Sequence, residues 1–241
     1  MIKGIYYSSS AMQYLDEKLD VIANNLANAD TSGFKRSGVA FNQQLTAEQA
    51  KYRNQIDSSP LPEGTIKTYV ENTQGPIKQT SNPFNFALDG TGYFTVQTPN
   101  GVAWTRDGAF TMNEEGYLTT LDGNYVMGDY GPIRAEGKKF SVSDQGDIIV
   151  DNIVVNKLLL QDFHKDSVVQ KGGNLYFPKG DYMMFKDPDA NIRQGYLESS
   201  NVSIVKEMIA MIAVNRQYQA NDKAIKTQDD ALGRAASQIA R

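Results

Sequence analysis

Residues 202–239 read VSIVKEMIAMIAVNRQYQANDKAIKTQDDALGRAASQI, with Ile204, Met211, Tyr218, Ile225, Leu232 and Ile239 spaced by seven. That spacing sets them on one narrow stripe of a helix. A continuous helix over 202–238 would be a rod about 55 Å long, longer than compact domains commonly use. Between Val202 and Val214 ten residues of thirteen are apolar, and Val205, Met208, Ile209 and Ile212 widen the stripe. A helix apolar nearly all round must be buried nearly all round, so several neighbours are expected around Ile209. A helix buried inside one globular domain would show the same pattern, yet the chain offers only one other long amphipathic helix to cover it. Asn201 stands where an N-cap residue would.

The second helix lies at the opposite end. Ile5, Met12, Leu19 and Leu26 recur every seven residues, and Leu15 and Ile22 fill the alternate positions. Two such helices alone bury little area against their ordering entropy, so they are expected to be poorly ordered in the monomer and to fold on assembly.

Between the ends the period shortens. From Gly90 to about Phe185, runs rich in Val, Ile, Tyr, Phe and Thr alternate with turn signals at Asn100-Gly101, Asp107-Gly108, Glu115-Gly116 and Asp122-Gly123, and later around Asp151-Asn152. This is the rhythm of an antiparallel meander. The expected fold is mixed α and β. Residues 1–30 and 200–241 make a discontinuous, coiled-coil-like helical domain, 31–80 an extended connector, and 81–199 an all-β domain, either a sandwich or a partly open barrel.

Composition excludes several functions. The 241 residues carry 24 Lys and Arg against 28 Asp and Glu, the wrong balance for a general nucleic-acid binder. There is no cysteine and one histidine, His164, so thiolate sites and multi-histidine metal centres are ruled out. No cofactor is expected. Gly90-x-Gly92 lacks the third glycine of a dinucleotide fingerprint and leads into a strand. Asp187, Asp189, Asn191 and Glu198 fit positions of a calcium loop, but Ile192 replaces its glycine. His164 has no motif-linked nucleophile, and hairpin acids such as Asp107 and Glu114 read as turns before they read as a glycosidase pair. No window reaches the length of a membrane span, and Met1 to Lys18 lacks the layout of a cleavable secretory signal.

Four blocks resemble the bacterial flagellar axial proteins, the rod and hook family. They are Asn24-Asn25-Leu26-Ala27-Asn28-Ala29-Asp30-Thr31-Ser32-Gly33-Phe34-Lys35-Arg36, Ala87-Leu88-Asp89-Gly90-Thr91-Gly92-Tyr93-Phe94, Thr105-Arg106-Asp107-Gly108-Ala109-Phe110, and Gln194-Gly195-Tyr196-Leu197-Glu198-Ser199-Ser200-Asn201-Val202. The resemblance implies a non-enzymatic subunit that assembles helically with its own copies and other axial proteins and transmits torque. Its terminal helices would form an inner tube, and its place would be the periplasmic basal body, reached through the flagellar export apparatus without a cleaved signal. The stretches Tyr69–Thr80 and Gly128–Ile133 look most like the proximal rod branch, with the distal rod branch second; Ser81-Asn82-Pro83-Phe84-Asn85-Phe86 departs from the more usual pattern.

The residues expected at the assembly interface are the two stripes, namely Ile5, Met12, Leu15, Leu19, Ile22 and Leu26 with Ile204, Met211, Tyr218, Ile225 and Leu232. Ile209 and Ile212 of the apolar belt join them. So do Asn24, Asn25 and Asn28, poor helix formers suited to polar contacts in a crowded tube, with Gly33 as a flexible turn. A reading from another class is a periplasmic carbohydrate-binding or hydrolytic β domain with helical oligomerisation ends, in which Trp104 and tyrosines stack on sugar rings.

Overall fold

The computed structural model describes residues 2–43, 64–135, 139–163, 168–170, 172, 174–178, 184–186 and 190–239. The chain separates into two units. A helical unit takes Met1–Ala27, Ser37–Glu71 and Ser203–Arg241, and a β unit takes Asn28–Arg36 and Asn72–Val202.

In the helical unit, α1 spans Ile2–Ala27 and α2 spans Ile204–Ile239. The 36 residues of α2 make a rod of about 54 Å, as the seven-residue spacing predicts. Its cap differs from the expected one. Ser203 precedes the first helical residue, and its carbonyl accepts from Glu207 N at 3.0 Å; Asn201 is engaged within the β unit. The stretch expected as an extended connector holds two strands, β1 (Ser37–Gln43) and β2 (Gly64–Val70), paired antiparallel from Ser37↔Val70 to Gln43↔Gly64. Partners this far apart in sequence share no two-residue turn, so the hairpin signal is missing. Other parts of that same stretch, residues 31–36 and 72–80, belong to the β unit.

The β unit is antiparallel throughout its described residues. It contains β3 (Ile77–Gln79), β4 (Phe86–Gly90), β5 (Tyr93–Thr98), β6 (Gly101–Thr105), β7 (Phe110–Met112), β8 (Leu118–Thr120) and β9 (Tyr125–Gly128). The main sheet runs β6-β5-β9-β8-β7, continued beyond β6 by Leu175–Pro178 and Val168–Gln170. Its described strand order has two ends, so it is no closed barrel. A three-stranded sheet, Phe140–Val142, Asp147–Val150 and Ile153–Lys157, turns at Asp151 and Asn152, both at positive φ (50° and 71°), the geometry of a tight type I′ hairpin. The returning chain pairs Ala190–Gln194 with β4 and Tyr196–Glu198 with β3. Phe86, Phe94, Phe110, Leu118, Ile148 and Ile192 form the fully buried centre.

The four glycine signals serve two purposes. Gly101, Gly116 and Gly123 adopt positive φ, as turn glycines do. Gly108 instead lies under β4, where a Cβ would sit 1.7 Å from the Phe86 carbonyl oxygen, and its own carbonyl accepts from Phe86 N. Alanine at Gly108 should therefore cost about 1–3 kcal/mol through overpacking. Alanine at Gly123, where nothing lies within 4 Å, should cost only the roughly 1 kcal/mol of a left-handed residue. Urea titration of the two variants should rank them in that order; equal midpoints would contradict the close approach.

Candidate assembly interface

Leu15 and Ile22 on α1 and Val214 on α2 are buried together, with Tyr14, Leu19, Ala210, Met211 and Tyr218 packed around them. The pair is antiparallel, because Asn25 near the end of α1 reaches Glu207 in the first turn of α2 at 3.4 Å. At about 100° per residue, Glu207, Ala210, Met211, Val214 and Tyr218 fall on one side of α2. Val205, Met208, Ile209 and Ile212, spaced i, i+3, i+4 and i+7, fall about 150° away by the same geometry. Those four side chains are exposed, Ile209 to 63% and Val205 to 67%.

The expected interface residues thus divide. Leu15, Leu19, Ile22, Met211 and Tyr218 meet inside one chain, while Ile209 and Ile212 face outward and Ile204 is 41% exposed. Met12, Leu26, Ile225 and Leu232 are half-buried. The backbone of Ile5 lies in α1, and its side chain is outside the described set. The spacing missed Glu207 and Val214, 2% exposed each. Their seven-residue series continues through Asn221 and Gln228, so a seam rich in polar residues is invisible to a search for apolar ones.

The three asparagines also separate. Asn25 is fully buried; its Oδ1 accepts from Ser37 N at 2.9 Å and its Nδ2 donates to Ser37 O at 2.8 Å. One side chain thus mimics a strand partner for the first residue of β1, holding the end of α1 against it. Asn28 Oδ1 accepts from Thr31 Oγ1 at 3.2 Å and closes the turn after the helix, whereas Asn24 is exposed. The contacts expected between subunits are, for Asn25, made within the chain.

All four sequence blocks meet at a charge cluster inside the β unit, three of them supplying its charges. Lys35, 1% exposed, donates from Nζ to Glu198 Oε1 at 2.5 Å and to Thr73 O at 2.9 Å. Glu198 Oε1 also accepts from Gly75 N at 2.8 Å, and Arg106 Nε stands 3.5 Å from Glu198 Oε2. Arg106 lies over the Tyr93 ring and donates from Nη2 to the carbonyl of Gly90, in the second block. Burial, the largest influence, holds the Lys35 ammonium below the ordinary lysine value; the Glu198 carboxylate opposes this and Arg106 adds to it. Burial likewise raises the phenols of Tyr93 and Tyr176. Gly33 is locked here rather than flexible, with φ at 66°, its N donating to Glu198 O at 2.8 Å, and a built Cβ only 2.4 Å from the Arg106 carbonyl carbon. No sequence signal gave these charges a role, since nothing in the chain order says that positions 35, 106 and 198 meet.

The other candidates take structural places. Trp104 is fully buried and donates from Nε1 to Gln161 Oε1 at 2.6 Å, so it presents no face for a sugar ring. Asp107 Oδ1 accepts from Ala109 N at 3.0 Å, with its carboxyl raised by burial, and Glu114 is exposed on a turn. Glu198 is committed to Lys35 and leaves the calcium pattern, whose Asp187 and Asp189 lie outside the described residues, as does His164. Among the described residues no cluster of acids and histidines could hold a metal, and no helix is long and apolar enough to cross a membrane.

Removing one member of a buried ion pair strands its partner, at about 3–5 kcal/mol. Glu198→Ala should therefore destabilise the β unit by that amount. Asp89→Ala, which breaks the exposed 2.6 Å bridge to Arg193, should cost under about 1 kcal/mol. Denaturant unfolding of both variants tests this, and a mild Glu198→Ala would refute the cluster's role.

Comparison with known proteins matches the same segments. Residues 5–35 match the family described as flagella basal body rod protein, 87–150 the flagellar hook protein FlgE/F/G D1 domain, and 193–239 the flagellar basal body rod FlgEFG protein C-terminal family. Flagellar basal-body rod protein FlgF of Mesorhizobium japonicum is 32% identical over 94% of this chain and 98% of its own. FlgG of Buchnera aphidicola subsp. Baizongia pistaciae is 34% identical over 96% and 98%, and FlgF of Caulobacter vibrioides 36% over 91% of each. With its terminal helices, its β unit and its signature blocks all aligned to these proteins, the chain belongs to the flagellar basal-body rod protein family, a family of structural subunits.

Proposed function

We propose that the chain is a rod subunit of the proximal type, non-enzymatic, which polymerises helically with its own copies and with other flagellar axial proteins. The observation that carries this reading is the open apolar face of α2. Val205, Met208, Ile209 and Ile212 stand exposed on the side of the helix away from α1, and a face of that kind within a single chain marks an interaction surface. In the polymer this belt would pack against neighbouring helices as a coiled-coil-like tube wall, while Ile225 and Leu232, on the same side of α2 as Tyr218, would extend the seam side.

Support for the proximal branch comes from Tyr69–Thr80 and Gly128–Ile133, although relatives named FlgF and FlgG align over similar lengths. The subunit would work in the periplasmic part of the basal body, delivered by the flagellar export apparatus without signal cleavage. The carbohydrate-binding alternative loses its best platform with Trp104 buried.

Ile209→Asp tests the reading directly. In the isolated chain the carboxylate faces water, so folding should be unchanged. In the tube it would be desolvated without a partner, at a cost of several kcal/mol, on the order of 3–5, in every copy. Cells carrying this variant should export a folded subunit, build no rod and fail to swim. Asp122→Asn, on an exposed turn, should behave as wild type, since such surface changes stay within about 0.5 kcal/mol. Intact rods made from Ile209→Asp subunits would remove the belt from the interface.

A further inference from the structure

The backbone passes between the two units after residues 27, 36, 71 and 202. Three of those crossings are tied together inside the β unit, and the Asn201 side chain bonds to the segments at two of them from its own place beside the third. Asn201, next to last before the crossing at 202, accepts at Oδ1 from the backbone N of Arg36 at 2.6 Å, and Arg36 is the last residue before its own crossing. The same amide donates from Nδ2 to Thr73 O at 3.0 Å and to Thr73 Oγ1 at 2.9 Å, and Thr73 is the second residue after the crossing at 71. Asn201 N completes the link by donating to Phe34 O at 3.4 Å. Directly behind it the buried charges repeat the connection. Lys35 reaches Thr73 O and Glu198, and Glu198 reaches Gly75 N.

We infer that Asn201 is a positioning residue for torque transmission, binding the three segments into one clamp so that they carry load in parallel. This rests on the rod-subunit reading. The chain is covalently continuous between the units at these crossings, so force carried along the backbone passes through them. Three untied segments would load one after another, each extending before the next becomes taut. Segments held by short hydrogen bonds within two residues of the crossings share strain from the start. A carboxamide suits the task because it donates and accepts at once. The charge pair behind it supplies a rigid floor, because Lys35 and Glu198 are both buried, meet at 2.5 Å and each hold a further backbone group, Thr73 O and Gly75 N.

The test uses the full chain, expressed in flagellated cells that lack their own copy. Asn201→Ala removes all the side-chain ties, and Asn201→Asp keeps the acceptor for Arg36 N while losing the donors to Thr73. Arg193→Gln, in the same unit but away from the crossings, is the control. For Asn201→Ala the amide of Arg36 should exchange about tenfold faster in the purified protein, as expected for one lost hydrogen bond. Rods should form in normal number and cells should swim normally in dilute medium. In thickened medium both Asn201 variants should lose at least half of their speed and shed flagella, while Arg193→Gln keeps pace with wild type. Wild-type swimming under load by Asn201→Ala, with Arg36 exchange raised, would overturn the clamp, as would unchanged Arg36 exchange. If both Asn201 variants fail to build rods, the residue serves folding or assembly and the proposal also falls. Cells lacking the chain that still build complete rods would instead overturn the rod-subunit reading itself.

Discussion

A carboxylate sealed from water organises the β unit. Glu198 stands on the last strand before α2, and its charge is tolerable only because Lys35, Gly75 N and Arg106 meet it. Each partner comes from a distant part of the chain, so the pair cannot form until the loop after α1, the segment entering β3 and the turn after β6 have all reached their places. An unpaired buried charge in any alternative packing would be heavily penalised. That penalty makes the cluster a check on register and topology as well as a source of stability. The tight seat of Gly33 against the Arg106 backbone follows from the same convergence.

The helical unit works on the opposite principle. Its seam is part polar, with Asn25 clamping Ser37 and Glu207 buried beside it, and its most apolar face is left open. A polar seam specifies one pairing, because its donors and acceptors must match. An open apolar face accepts any complementary surface and gains free energy when covered. The combination suits a subunit whose internal pairing must be unique and whose outer contacts recur around a polymer. The sequence expectation that the helices order only on assembly stands beside a structure in which they pair through Leu15, Ile22 and Val214; the belt around Ile209 is the part that this pairing leaves uncovered.

Much of the architecture was legible from periodicity. The seven-residue spacings of Ile5 to Leu26 and of Ile204 to Ile239 marked both helices, and the glycine rhythm from Gly101 to Gly123 marked the meander. Local signals of this kind depend only on neighbours in sequence, which is why they can be read from residue order alone. The pairing of β1 with β2 was not legible, because no turn joins them. Nor was the role of Gly108, whose dipeptide with Asp107 imitates a hairpin turn while its space is taken by the Phe86 carbonyl.

By itself the sequence determined the helices at both ends, the antiparallel β character of the middle, the apolar belt around Ile209 and the family resemblance. Each is written in residue type and spacing over a short span. Only the tertiary structure decided that Lys35, Arg106 and Glu198 share one buried site, that Asn25 spends its amide on Ser37, and that Asn201 ties Arg36 to Thr73. Polar side chains carry no periodic signature, and a charged residue in a sequence reads as solvated by default. Its burial becomes intelligible only when the partner that offsets its desolvation is brought beside it by the fold.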